Sequence, residues 1–292
     1  MKKIELVLWF RCNCRCLCCV VDERVAGQSM STAAAVRHLA VSRKAGARDV
    51  DFGGGEPTLR EDLPALAQAA AKLGYRKIGV KTNGLRLCYP EFVARLMRAG
   101  VNQFTFPIRG HVPEVHDRLA RTPGAFEMME MAVKHAVDFG AEAEAEVLLT
   151  TETVPHLREL IGHFTAIGLR RFRMYFFSLF ASDQTMPELL PSLTSAGRAI
   201  VAAVAASRRD KASIYTTHVP YCFLRPYPGI YSSSARAGLD IITPGGSFPN
   251  AQSPFEAGRK TARCAGCAKY ALCAGVRPEY LERFSDREIR PL

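Results

Sequence analysis

Between residues 4 and 177 short apolar segments alternate with stretches of helical spacing, and this alternation constrains the fold more than any other feature. Residues 4–10, 49–53, 77–82, 101–108, 143–150 and 171–177 read as strands, and 32–44, 63–73, 90–98, 126–139 and 155–167 as helices. The boundary residues agree with this division. Ser31 is placed to cap a helix, Pro90 to open one, and Gly74, Gly100 and Gly140 follow helices as C-caps do. Strands that alternate with helices pair in parallel, because a parallel neighbour needs a long crossover connection. Crossovers of one hand curl such a sheet toward a partial barrel, with its chemistry on the loops that follow the strands.

Two motifs occupy such loops. After the first strand, Cys12, Cys16 and Cys19 are spaced C-x3-C-x2-C. The alternative register from Cys14 and Cys18 would need a cysteine where Val21 stands. Three thiolates are one short of the usual four around a 4Fe–4S cluster, which leaves one iron open to an outside ligand. After the second strand, Gly53, Gly54 and Gly55 lead into Glu56, Pro57 and Thr58. A glycine turn lets a ligand come close to the backbone. A zinc site or a set of buried thiols is the competing reading of the cysteines, but zinc usually takes four ligands in paired arrangements. Cys14 and Cys18 read as small fillers of the loop.

With Asn13 and Arg15 between the first two cysteines, and Gly54-Gly-Glu-Pro57 after the next strand, the chain resembles the radical S-adenosylmethionine (SAM) superfamily. The resemblance implies an α/β fold, a partial (β/α)6 barrel open on one side. It implies a 4Fe–4S cluster on Cys12, Cys16 and Cys19, where SAM is reductively cleaved to a 5′-deoxyadenosyl radical that abstracts a hydrogen atom. It also implies a SAM site at Gly54, Gly55, Glu56 and Pro57, with the Glu56 carboxylate facing the SAM ammonium. Thr82 and Asn83 at the end of the third strand, and Glu146 on the fifth, are further SAM-site candidates. Glu142, Glu144 and Glu146 share one strand face by their period of two. The family usually has an aromatic residue just before the third cysteine; here Cys18 stands there.

A second cysteine group closes the chain. Cys264, Cys267 and Cys273 are spaced C-x2-C-x5-C, and Cys222 lies upstream. Four thiolates suit a coordinatively closed 4Fe–4S cluster or structural zinc. The group resembles the auxiliary-cluster region of radical SAM enzymes in its short, twitch-like form, which implies a second 4Fe–4S cluster. The chain then divides into a radical SAM core at 1–210 and a small auxiliary iron–sulfur domain at 211–292. The Gly, Pro and Ser content from residue 227 to 253 marks the change.

Composition bounds the setting. The chain has 292 residues, 48% hydrophobic content and a net charge of +11. No stretch is long and apolar enough for a membrane helix, and no secretory signal precedes the first strand. Ten cysteines without such a signal point to metal chemistry in a reducing cytoplasm. Lys and Arg are scattered, so a nucleic-acid partner is not expected; a solvated basic surface that helps to dock an acidic flavodoxin- or ferredoxin-type donor is. Three residues are weaker catalytic candidates. Cys88, shortly after the third strand, is placed to donate hydrogen to a substrate radical. His111 and His116, the latter beside Asp117 in the loop after the fourth strand, are placed to meet substrate or SAM. Trp9 and the methionines 128, 129 and 131 read as core. The chain starts at its first strand, without a peptide-leader domain, so the expected substrate is a small molecule or natural product. A peptide undergoing cross-linking or epimerisation is the alternative. An iron–sulfur or zinc electron-transfer protein without SAM chemistry is the third reading.

Overall fold

In the computed structural model, which describes residues 2–19, 21, 23–177, 186–208, 211–231, 238–253, 256 and 258–292, the alternating segments form one open nine-stranded sheet. Its strands are β1 (Lys2–Trp9), β2 (Ala47–Gly54), β3 (Lys77–Lys81), β4 (Gln103–Ile108), β5 (Glu142–Leu149), β6 (Arg171–Phe176), β7 (Ser213–Thr217), β8 (Leu239–Thr243) and β9 (Gly246–Pro249). They lie in the order β7-β6-β5-β4-β3-β2-β1-β8-β9. Every pairing is parallel except the hairpin of β8 and β9. The described helices are α1 (Glu23–Ala26), α2 (Thr32–Lys44), α3 (Leu63–Lys72), α4 (Pro90–Arg98), α5 (Pro113–Ala120), α6 (Ala125–Asp138), α7 (Leu157–Ala166), α8 (Leu193–Ser207) and α9 (Pro278–Phe284). The first six strands are those expected, and the parallel α/β architecture follows from them.

The register is set by which residues each strand buries. Ile4 and Leu6 on β1, Phe52 on β2, Phe104 and Phe106 on β4 and Phe172 on β6 are fully buried. Burying such side chains is worth about 1.5–3 kcal/mol each. The intervening positions are polar: Lys3, Glu5, Asp51, Lys81, Glu144 and Arg173. A slip of one residue would exchange the two sets, so the pattern admits one register. The polar face is cross-linked from strand to strand. Lys3 meets Asp51 at 2.6 Å, Lys81 meets Glu5 at 2.7 Å, and Arg173 meets Glu146 at 3.1 Å. Glu144 is buried against Arg173 and the Tyr215 hydroxyl.

Two sequence expectations change, and one segment the sequence leaves unassigned proves to be a strand. The loop expected around His116 and Asp117 is helix α5. Its pattern is masked by Gly110 and Pro113, but proline at the first helical position is compatible with a helix start. The apolar run from residue 239 is β8, hydrogen-bonded alongside β1 from Lys3 to Leu6. Strands from beyond residue 210 therefore extend the sheet at both ends; residues 209 and 210 themselves, where the sequence places the domain boundary, lie outside the described residues. Met129 is buried, but Met131 is 44% exposed on α6, and Trp9 is only half-buried with its indole in use at the site.

Candidate active site

The loops after β1, β2 and β3 are knitted together at one end of the sheet. Gly55 N–H donates to Trp9 O at 2.8 Å and Glu56 N–H to Arg11 O at 2.7 Å. The Trp9 indole N–H returns to Glu56 O at 3.0 Å. This approach requires glycine. Gly54 has φ +118°, and a Cβ there would lie 2.2 Å from Trp9 O; at Gly55 it would lie 2.1 Å from Arg11 O. Arg60 braces the same corner, donating to Leu8 O and Met30 O and pairing with Asp62.

Glu56 is 1% exposed, and its carboxylate is occupied by the chain's own donors. Oε1 accepts from Thr58 N–H at 2.9 Å, the Thr58 hydroxyl at 2.6 Å and the Thr82 hydroxyl at 2.8 Å. Oε2 accepts from Asn83 N–H at 2.7 Å. Burial pushes this carboxyl above its usual range, against the pull of the four hydrogen bonds. Asn83 carries the brace onward. Its side-chain amide donates to Asn13 Oδ1 at 2.8 Å and reaches the thiols of Cys14 at 3.3 Å and Cys12 at 3.8 Å. A chain of contacts thus runs from the glycine turn through Glu56 and Asn83 to the cysteine loop.

These parts surround one cavity of about 330 Å³. Cys12, Cys14, Cys16, Cys18 and Cys19 line it, as do Gly54, Gly55, Glu56, Thr82, Asn83 and Glu146. Of the residues expected at the SAM site, Pro57 alone is absent from the lining; it starts the short 3-10 turn Pro57–Leu59. Phe10 also lines the cavity. The thiols differ in environment. A hydrogen bond from the Cys14 thiol lowers Cys12, and lowers Cys16 to about 5 with help from the Arg109 charge. Cys14 is correspondingly pushed up, by its bonds to Cys12 and Cys16. Burial raises Cys18 and Cys19. Thiolates are the metal-binding form, which the lowered Cys16 favours, whereas burial holds Cys19 toward the thiol.

Among the cavity residues that sequence reading missed are four titratable ones, Glu5, Lys81, Arg109 and Tyr175. Arg109 follows β4 and faces the thiols of Cys16, Cys18 and Cys19. Its buried Nε has no hydrogen-bond partner among the described residues, and its backbone N–H donates to His116 Nδ1 at 3.3 Å. Burial holds Lys81 toward the neutral form, but Glu5, Glu146 and Asp51 outweigh it and keep the ammonium charged. Burial raises the Tyr175 phenol to about 12. Glu5, Lys81 and Tyr175 sit on the polar strand face, where the only sequence signal is alternation, and Arg109 lies just beyond the end of β4.

The weaker candidates stand apart. Cys88 donates to Leu85 O at 3.0 Å and does not line the cavity. His111 stacks on His156, ring centroids 4.0 Å apart, also outside the lining. His116 is buried behind Arg109, and burial lowers it to about 3, so it is neutral. Asp117 caps α6, accepting from Gly124 and Phe126 N–H.

The second cysteine group converges as well. Cys222, Cys264, Cys267 and Cys273 line a single pocket with Tyr221, Lys260, Lys269 and Tyr270. Burial raises Cys222 to about 11, with the nearby Cys273 and Cys267 adding to it. Gly275 N–H donates to the Cys273 sulfur at 3.4 Å. Among the described residues, no three Cys, His, Asp or Glu side chains close tightly enough to hold a single metal ion. Both thiol groups are instead arranged around cavities.

Comparison with known proteins agrees with this geometry. The chain matches the Radical SAM superfamily over residues 6–164. It is 27% identical over 163 residues to a probable GTP 3′,8-cyclase of Methanopyrus kandleri, covering 55% of this chain and 52% of that protein. It is 28% identical over 167 residues to an AdoMet-dependent heme synthase of Oleidesulfovibrio alaskensis, covering 56% and 42%. The chain thus spans about half the length of these curated relatives. Among solved structures, Streptococcus suis SuiB bound to S-adenosylmethionine superposes with a TM-score of 0.73 at 16% identity, over 94% of this chain and 72% of that one. Native anSMEcpe with bound AdoMet and the Cp18Cys peptide superposes with a TM-score of 0.69 at 14% identity, over 100% and 92%. These likenesses establish the partial-barrel fold, whose sheet here remains unclosed.

Proposed function

The chain belongs to the radical SAM superfamily, and from that premise we propose an enzyme that cleaves SAM in the 330 Å³ cavity and uses the product to take a hydrogen atom from an organic substrate. The observation that carries the reading is the gathering in that cavity of Cys12, Cys16 and Cys19 with the glycine turn. Cys12, Cys16 and Cys19 would hold a 4Fe–4S cluster, which would supply the electron for reductive cleavage of SAM.

The chain's own residues supply position and charge. Gly54 and Gly55 leave the backbone bare where the SAM amino group approaches. Glu56 acts as a positioning residue, because its four hydrogen bonds fix Thr58, Thr82 and Asn83 and hold the turn against the cysteine loop. Arg109 supplies a buried cation beside the thiols, suited to a carboxylate. Glu5, Lys81, Glu146 and Tyr175 form the polar wall on the substrate side. The four cysteines of the C-terminal pocket would hold a second 4Fe–4S cluster, with Cys222 as the fourth ligand, in a twitch-like region of residues 211–292 whose strands extend the core sheet.

The substrate is a small molecule or natural product. A peptide is the second reading, favoured by the SuiB and anSMEcpe structures, which were solved with peptides and share the fold over 93% and 100% of this chain. No described helix is long and apolar enough to cross a membrane. Ten cysteines, seven of them read as metal ligands, suit a reducing compartment, which supports a cytoplasmic setting.

Iron analysis tests the reading. Anaerobically reconstituted protein is expected to hold about eight irons, two clusters of four. Replacing Cys12, Cys16 and Cys19 together with alanine is expected to remove about half and abolish SAM binding. Full iron and unchanged SAM affinity in that variant would overturn the assignment.

A further inference from the structure

Behind the cavity lies a buried ionic cluster that the proposed reaction leaves unused. β7 ends at His218, which holds φ +64°, a left-handed conformation that a residue with a Cβ seldom takes. Both of its ring nitrogens are engaged. Arg277 Nη2 lies 3.1 Å from Nδ1, and Glu256 Oε2 lies 3.1 Å from Nε2. A guanidinium only donates, so Nδ1 accepts and the ring proton sits on Nε2, donating to Glu256. All three side chains are buried. Burial lowers His218, which favours the neutral ring between the two charges. Glu256 also accepts from the Asn250 amide at 3.2 Å, and Arg277 meets Glu279 at 3.4 Å. Backbone strain that a buried network holds in place is an observation that points to a task.

The cluster touches both candidate sites. On one side the His218 ring packs edge-on against Tyr175, ring centroids 5.2 Å apart, and Tyr175 forms part of the cavity wall. On the other side Arg277 follows Gly275 and Val276, which line the C-terminal cysteine pocket, and Gly275 N–H donates to the Cys273 sulfur. A second tie runs beside the first. The Tyr231 hydroxyl accepts from Ala274 N–H at 3.3 Å, and Tyr231 forms a bridge to Thr216 on β7. The segment from Cys273 to Arg277 is thus fastened at two points to the end of β7, whose Thr217 pairs with Tyr175. A group that orders this segment also fixes the Tyr175 wall, and a ligand that meets an ordered wall loses less entropy on binding. We propose that His218 and Arg277 are positioning residues of the cavity wall, and that through them an occupied C-terminal cysteine site tightens SAM binding. By linkage, bound SAM tightens the C-terminal site in equal measure. The proposal rests on the reading of the cavity as the SAM site and of the C-terminal cysteines as a cluster site.

The test measures SAM binding by anaerobic titration calorimetry, with iron content determined on every sample. The parent is compared with Cys264→Ala/Cys267→Ala, with His218→Asn, and with the variant that combines all of these substitutions. Asparagine tolerates positive φ, so His218→Asn removes the ring without forcing the backbone, and it leaves every cysteine in place. Loss of the C-terminal cluster is expected to weaken SAM binding about fivefold or more. His218→Asn at full iron is expected to weaken it similarly, and the combined variant no further, because both changes act through one chain of contacts. Hydrogen exchange gives a second readout that needs no SAM. Residues 171–176 are expected to exchange faster when the C-terminal cysteines are replaced, and that difference is expected to disappear in the His218→Asn background. Undiminished SAM affinity in Cys264→Ala/Cys267→Ala, or losses that add in the combined variant, would overturn the coupling. So would unchanged exchange at 171–176. A parent with iron at the N-terminal site alone would overturn it together with the reading of the C-terminal cysteines. A parent that loads both clusters yet binds no SAM would instead count against the SAM reading, and the exchange comparison would still decide whether the C-terminal site fixes the wall.

Discussion

Replacing Glu56 with glutamine changes one oxygen to an amide nitrogen, and the surrounding donors determine the consequence. Three donors converge on Oε1 and one, the Asn83 N–H, on Oε2. The glutamine carbonyl is best spent at the Oε1 position. Its NH2 then faces the Asn83 N–H across 2.7 Å, donor against donor. A hydrogen bond to a charged group is worth about 1.5–3 kcal/mol, and the remaining three weaken by roughly half when the acceptor becomes neutral. Part of this is returned, because an amide costs less to bury than a carboxylate. The net loss comes to about 2–4 kcal/mol, with a fall in melting temperature of about 5–10 °C for a chain of this size. Asn83 also holds Asn13 and the Cys12 and Cys14 thiols, so the loosening should reach the cysteine loop and slow iron loading. Anaerobic urea unfolding and iron uptake kinetics measure both effects. A variant as stable as the parent that loads iron at the same rate, yet binds SAM more weakly, would refute the brace and restore a direct contact from Glu56 to the SAM ammonium.

Two further outcomes are expected. Cys222→Ala should leave the C-terminal cluster labile, losing up to about four irons on gel filtration while the N-terminal cluster stays; a variant with full iron and unaltered spectra would remove Cys222 from the ligand set. His116, which burial lowers to about 3, gives a pH dependence of known sign. Below pH 6.5 the unfolded chain binds a proton that the folded chain refuses, so stability falls as the pH drops from 6.5 toward 3. The loss at pH 5.5 is about 1.4 kcal/mol, and His116→Gln should remove that increment from the difference between pH 7.5 and 5.5. An identical pH slope in the two proteins would show that His116 is not held neutral.

The features legible in the sequence are those set by local pattern. The strands are marked by apolar alternation and turn residues, and the cysteine loop and glycine turn by spacing. The cysteines at 222 and 264–273 do line one pocket across the intervening chain. The features hidden from sequence depend on pairing between distant segments. Nothing local in residues 239–243 says that they lie beside β1. Helix α5 opens on Pro113 shortly after Gly110, and those two residues mark a loop in sequence. Arg109 is one arginine among many until the fold turns it toward the thiols. The glycine motif marks Glu56 as a SAM contact, whereas the donors that occupy it come from Thr82 and Asn83, a whole crossover away, as well as from Thr58.

The most direct measurement is mass spectrometry of the nucleoside products when the anaerobic, iron-loaded protein is given SAM and a strong reductant. The cavity of Cys12, Cys16, Cys19 and the Gly54–Glu56 turn predicts 5′-deoxyadenosine above background, absent from the Cys12, Cys16, Cys19 triple alanine variant. A fully iron-loaded protein that forms none, or a triple variant that still forms it, would contradict SAM cleavage at this site.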